Sequence, residues 1–133
     1  MNRKYKCTLV VDDDPISCFI NQKILELTKI TQQVKIVHNG AEAIKFIRNS
    51  IQEPPDKQTL PDLIFLDLNM PVMNGFEFLS VFQGFPTAYR KEMKIVVLTS
   101  SNNIADRKKA KDFNVAGYIN KPLTIESARS LLG

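Results

Sequence analysis

Carboxylates fall in this chain where a buried strand has no structural use for them. Residues 8–14 read TLVVDDD and residues 63–67 read LIFLD, so one apolar run stops on Asp12, Asp13 and Asp14 and another on Asp67. An unpaired carboxylate at the tip of a buried run is costly. Neighbouring carboxylates also repel, by roughly 4 kcal/mol per pair at about 4 Å with an effective dielectric near 20. Asp14 has a local task, because it precedes Pro15 and suits the N-cap of a helix whose first residue is proline. Asp12 and Asp13 have none. With Asp67 they form an acidic cluster that is stable only if a carboxyl takes a proton or a cation binds. Carboxylate oxygens supplemented by water suit Mg²⁺. The plain alternative is a solvated acidic loop.

Two further residues weigh against that alternative. The run IVVLTSS ends on Thr99, and GYINKP leads to Lys121. A carboxylate facing a divalent cation, an ammonium and a hydroxyl is a site for a phosphoryl group. The cation and the ammonium neutralise its equatorial oxygens while the carboxylate attacks phosphorus to give an acyl phosphate.

The elements that must position these groups follow from periodicity. Strands are predicted at 7–11 (CTLVV), 33–37 (QVKIV), 63–67 (LIFLD), 94–101 (KIVVLTSS) and 116–122 (AGYINKP). Helices are predicted at 15–29, 40–50, around FEFLSVF after the Asn74-Gly75 turn, at 103–113 and at 124–132. The first helix places Ile16, Phe19, Ile20, Ile24 and Leu27 on one face. Five strands alternating with five helices imply a parallel α/β sheet with right-handed crossovers and helices on both faces. Ligands of such sheets bind beyond the carboxyl ends of the strands. Asp12, Asp13, Asp67, Thr99 and Lys121 all arrive at that edge.

Composition narrows the class. The chain has 133 residues, 44% hydrophobic and 24% charged, which fits one domain, 1–133, with an ordinary core. No apolar run can span a bilayer. The segment MNRKYKCTLVV runs straight into Asp12 and is no secretory signal, so the chain is expected in the cytoplasm, away from membrane. The net charge of +4 concentrates in DRKKAK, 106–111, without a nucleic-acid-binding motif beside it, so a solvated helix face is expected and no direct nucleic-acid contact. Cys7 and Cys18, without a CxxC, read as buried free thiols.

LVVDDDPI, LIFLDLNMPVMNGFEFL, IVVLTSS and GYINKPL, in this order, resemble the signature blocks of response-regulator receiver domains of two-component signalling, across essentially the whole chain. The resemblance implies a flavodoxin-like doubly wound five-stranded sheet of order 2-1-3-4-5. It implies Asp67 as phosphoacceptor, with Asp13, Asp67 and the backbone carbonyl of Asn69 on Mg²⁺ and Asp12 acting through a water. Lys121 would pair with the phosphoryl group, Thr99 would hydrogen-bond it, and the amide of Ser100 would add a donor. Tyr118 matches the family's switch aromatic, and Lys121-Pro122 a position where a cis peptide is usual. The implied partners are a sensor histidine kinase or histidine phosphotransfer protein, and a downstream protein bound at helix 103–113, strand 116–122 and helix 124–132. The domain would catalyse only its own phosphorylation and dephosphorylation. The connections at 51–62 and 84–93 are longer than the resemblance leads one to expect.

Two other readings use the same residues. A haloacid-dehalogenase-like phosphatase would take Asp12 as nucleophile with Asp14, Thr99 and Lys121, but it leaves Asp67 unexplained. A pseudo-receiver would keep the fold for protein binding alone, although every side chain the chemistry needs is present.

Overall fold

Short apolar runs pair side by side because each alone leaves the backbone N–H and C=O groups of both edges unpaired. The computed structural model describes residues 4–132. Its strands are β1 (Tyr5–Val11), β2 (Thr31–Val37), β3 (Leu63–Leu66), β4 (Lys94–Thr99) and β5 (Gly117–Asn120). All neighbouring pairs are parallel, in the order β2-β1-β3-β4-β5. This is the flavodoxin-like doubly wound sheet.

The helices are α1 (Pro15–Thr28), α2 (Gly40–Gln52), α3 (Gly75–Phe82), α4 (Thr87–Arg90), α5 (Ile104–Asp112) and α6 (Ile125–Arg129). The one-turn α4 has no counterpart in the sequence reading, which treats 84–93 as connection. It forms where Pro86 fixes the entry, and Arg90 then ties it down by donating to the Phe85 carbonyl at 2.7 Å and to Thr87 Oγ1 at 3.0 Å. Short 3₁₀ turns stand at Pro55–Lys57 and Ser130–Leu132.

Side-chain alternation along the strands splits the core in two. Leu9, Val11, Ile64, Leu66 and Ile95 face α2 and α3, where Ile44, Ile47, Phe78 and Leu79 meet them. Val10, Leu63, Phe65, Val96 and Leu98 face the other way, onto Leu25 of α1 and Ala128 of α6. Each fully buried Leu, Ile or Phe contributes about 1.5–3 kcal/mol. Cys7 and Cys18 are free and buried, as their context suggests.

The apolar face read for α1 is only partly the face it buries: Ile24 packs against the core and Ile20 is half-buried. Ile16, Phe19 and Leu27 are 71%, 63% and 65% exposed, while Ser17, Cys18, Asn21 and Leu25 point inward. The reason lies at the helix start. Asp12 is buried directly beneath the first turn and needs donors there, so small polar residues occupy the inner positions.

Candidate functional site

Four strand ends, those of β1, β3, β4 and β5, and two helix starts build the site. Asp12 follows β1, Asp67 follows β3, and each is held by a ladder bond: Asp12 N donates to the Val37 carbonyl and Asp67 N to the Val11 carbonyl, both at 3.0 Å. Asp14 N-caps α1, its carboxylate accepting from Ile16 N at 3.0 Å. Gly75 lets α3 start against the end of β3, since a Cβ there would stand 2.5 Å from the Asp67 carbonyl oxygen and 2.9 Å from Leu68 Cα. Asn74 caps α3 reciprocally with Glu77. Between them, Val72 is held at φ 68°, a costly conformation for a β-branched residue, and is 82% exposed.

Asp12 and Asp67 are 2% and 6% exposed, Thr99 is fully buried, and Asp13 is exposed. One carboxylate oxygen from each of Asp12, Asp13 and Asp67 lies within 4.8 Å of the others. Lys121 Nζ reaches into the cluster, 2.8 Å from Asp12 Oδ2 and 3.1 Å from Asp67 Oδ2. Burial pulls the Lys121 pKa down, but the hydrogen bond to Asp12 and the charges of Asp67 and Asp12 outweigh it, so the net shift is upward and the ammonium stays charged. Three carboxylates facing one ammonium leave two negative charges uncompensated. An all-oxygen set with that deficit fits Mg²⁺ or a similar hard dication.

The two buried carboxylates differ in what binds them. Asp12 Oδ1 accepts from Asp14 N at 2.9 Å, and Asp12 Oδ2 accepts from Ser17 Oγ at 2.7 Å as well as from Lys121. Three donors thus hold Asp12, which leaves it one free lone-pair site. Asp67 is held more loosely, by Lys121 on Oδ2 and by Asn69 N on Oδ1 at 3.3 Å. Cys18 also donates to the Asp12 carbonyl, at 3.3 Å, and burial with the Asp12 charge pushes its thiol up to about 11.

Thr99 Oγ1 accepts from Ser101 N at 3.3 Å. Ser100 and Asn69 are exposed at the rim. Tyr118 is half-buried on β5, its hydroxyl donating to the Ser101 carbonyl at 3.3 Å, with Arg107 5.0 Å from its ring centroid. Burial is the main cause of the raised Tyr118 pKa. The Lys121-Pro122 peptide is cis.

Sequence reasoning overlooked Ser17, Ser101 and Asn120. Ser17 could have been found as a small polar residue on the inner side of α1 one turn past Asp12. Ser101 and Asn120 carry no such signal, because their bonds cross between a loop and a strand.

A parallel sheet of order β2-β1-β3-β4-β5 with buried carboxylates, a lysine and a threonine at its carboxyl edge is the architecture of a receiver domain. The chain belongs to the response regulator receiver domain family, whose model matches residues 8–132. It is 30% identical over 116 residues to response regulator Rcp1 of Synechocystis, covering 87% of this chain and 76% of that protein. With a probable C4-dicarboxylate response regulator, DctR of Priestia megaterium, it shares 25% identity over 132 residues, 99% of this chain but only 52% of that one. A two-component response regulator from Cytophaga hutchinsonii superposes with a TM-score of 0.86 at 29% identity, covering 98% of this chain and 96% of that one. Rcp1 has also been solved in a Mn²⁺-bound form, which matches with a TM-score of 0.74 at 28% identity over 96% of this chain and 88% of that one. Receiver domains of response regulators interact with histidine kinases, and the family is generally not one of true enzymes. Among the described residues no helix is long and apolar enough to cross a membrane.

Proposed function

We propose that the chain accepts a phosphoryl group on Asp67 from a histidine kinase or histidine phosphotransfer protein and thereby switches its contacts with a target protein. The observation that carries this reading is the Lys121 ammonium, shared at 2.8 and 3.1 Å by two buried carboxylates of which Asp67 is the less engaged, accepting two hydrogen bonds against three at Asp12. An Asp67 oxygen attacks phosphorus, the phosphorus–nitrogen bond of the donor imidazole breaks, and the electron pair leaves with the ring. Lys121 moves from Asp67 Oδ2 to the new phosphoryl oxygens, whose charge it neutralises. Thr99 donates its free proton to one of them, and Ser100 N supplies a second donor. Asp12, Asp13, Asp67 and the Asn69 carbonyl would hold Mg²⁺, Asp12 through a water, and the ion would neutralise phosphoryl oxygens in the transition state.

The donor protein must lie over the carboxyl edge of the sheet to reach Asp67. Ile16 and Phe19 stand at that border, and a cleft of about 230 Å³ lined by Ile16, Ile20, Asn21 and Pro122 opens beside Lys121. An apolar face of the donor fits there. Output runs through the other border. Engagement of Thr99 and Tyr118 biases α5, β5 and α6, the surface we assign to the downstream target.

Incubation with acetyl phosphate and Mg²⁺, followed by mass spectrometry, tests the central claim. Label is expected on Asp67 and absent from Asp67→Asn. Label mainly on Asp12 or Asp14 refutes it.

A further inference from the structure

The loop after β4 is joined to β5 by a residue that the phosphoryl chemistry does not use. Asn120 Nδ2 donates to the Ser101 carbonyl and to Asn102 Oδ1, both at 3.1 Å. Asn120 faces Thr99 across the β4–β5 ladder and immediately precedes Lys121. Tyr118, two residues earlier and therefore on the same side of the strand, sends its hydroxyl to the same Ser101 carbonyl. A carbonyl oxygen has two lone pairs, and these two donors fill them.

Ser101 is in turn a joint between three elements. Its amide donates to Thr99 Oγ1, and its hydroxyl donates to Asp106 Oδ2 of α5 at 2.8 Å while accepting from Asn103 N at 3.2 Å. Whatever fixes Ser101 therefore fixes the start of α5 and the acceptor that Tyr118 must find. Tyr118 supplies one such restraint, at the longer distance of 3.3 Å. Asn120 supplies the other, and it needs no phosphoryl group.

We propose that Asn120 is a positioning residue that holds the 99–102 loop on β5 and so prearranges Ser101 for Tyr118 before phosphorylation. The resting chain then already populates the arrangement in which Tyr118 is bonded, and Asn120 sets how far phosphorylation can still move it. This deepens the receiver reading and rests on it only for the phosphorylated state.

The test uses the full chain carrying 3-fluorotyrosine at its three tyrosines, with the Tyr118 resonance assigned through Tyr118→Phe. Fluorine NMR then reads the ratio of bonded to free Tyr118. In the unphosphorylated chain, Asn120→Ala should lower that ratio about five-fold, the shift that loss of one hydrogen bond of average net strength gives. Asn120→Gln, which keeps an amide, should recover part of it. Asn102→Ala removes only the second acceptor and should do less than Asn120→Ala. Should Asn120→Ala fail to fold, Asn120→Ser, too short to bridge, takes its place. Acetyl phosphate with Mg²⁺ should label Asp67 in Asn120→Ala to the wild-type extent and restore the bonded form. An unchanged resting ratio, or an equal shift in Asn102→Ala, overturns the proposal. Absence of label on wild-type Asp67 would overturn the receiver reading instead, with the resting ratio still deciding the role of Asn120.

Discussion

Helices α1 and α5 flank the same site and are held to the sheet in opposite ways. The fourteen-residue α1 is tied directly to the chemistry: Asp14 caps it, Ser17 bonds Asp12, and Leu25 is buried among Tyr5, Val10 and Ile30. Its outer face is apolar at Ile16, Phe19 and Leu27. The nine-residue α5 buries only Ala110. Its flanks rest on two rings, with Lys109 4.4 Å from the Phe76 centroid and Arg107 5.0 Å from that of Tyr118. Such contacts at exposed sites are worth about 0.5–1 kcal/mol each. Segments with so few buried apolar contacts sit at the low end of local stability, where switching elements are found. On the function proposed above, a phosphoryl group at Asp67 would have one firmly held border and one loosely held border, and the loosely held one would carry the signal.

The largest effect expected from this asymmetry is on stability. Leu25→Ala should cost about 2–5 kcal/mol, the range for emptying a buried leucine site. Alanine at Lys109 in α5 should cost no more than the roughly 0.5–1 kcal/mol of its cation–π contact. Urea unfolding of the two variants, compared at equal m-values, measures the difference. Equal losses would mean that α5 is anchored as firmly as α1 and is not the movable border.

The outer face of α1 sharpens the comparison without touching stability. Phe19→Ser should leave the unfolding free energy within about 0.5 kcal/mol of wild type, as for most surface substitutions. It should slow phosphotransfer from a cognate kinase about ten-fold, the loss expected of a central aromatic contact. Labelling by acetyl phosphate, which needs no docking surface, should be unchanged. An equal slowing with both donors would place Phe19 in the chemistry rather than the interface.

The same two helices show which parts of the molecule were legible in the sequence. The strand ends were readable, because an apolar run that stops on aspartate has few explanations, and Asp12, Asp67, Thr99 and Lys121 do meet at one edge. The inward face of α1 was legible only in part, at Ile20 and Ile24. Periodicity marks an apolar stripe correctly but assumes that the core is apolar at that point, whereas under α1 the core contains a carboxylate. Helix α4 escaped for a different reason, since four residues are too few to show a period. Asn120 and Ser101 escaped because a loop carbonyl has no residue signature at all.

The smallest effect concerns the outer side of α5. Arg107 and Lys109 point toward Tyr118 and Phe76, whereas Lys108 and Lys111, three residues apart, share the remaining exposed face. Among the described residues neither joins an ion pair. A target docking there gains from acidic residues opposite them, and rim charges of this kind act mainly on association rate. Lys108→Glu or Lys111→Glu should therefore slow association of the phosphorylated chain a few-fold at low salt. The difference from wild type should shrink as ionic strength rises and the Debye length falls to about 8 Å near 0.15 M. Stability and Asp67 labelling should not change. Stopped-flow binding to the target across a salt series reads the effect directly. If either reversal instead blocks transfer from the kinase and spares target binding, α5 is the input border, and the roles assigned to the two helices are exchanged.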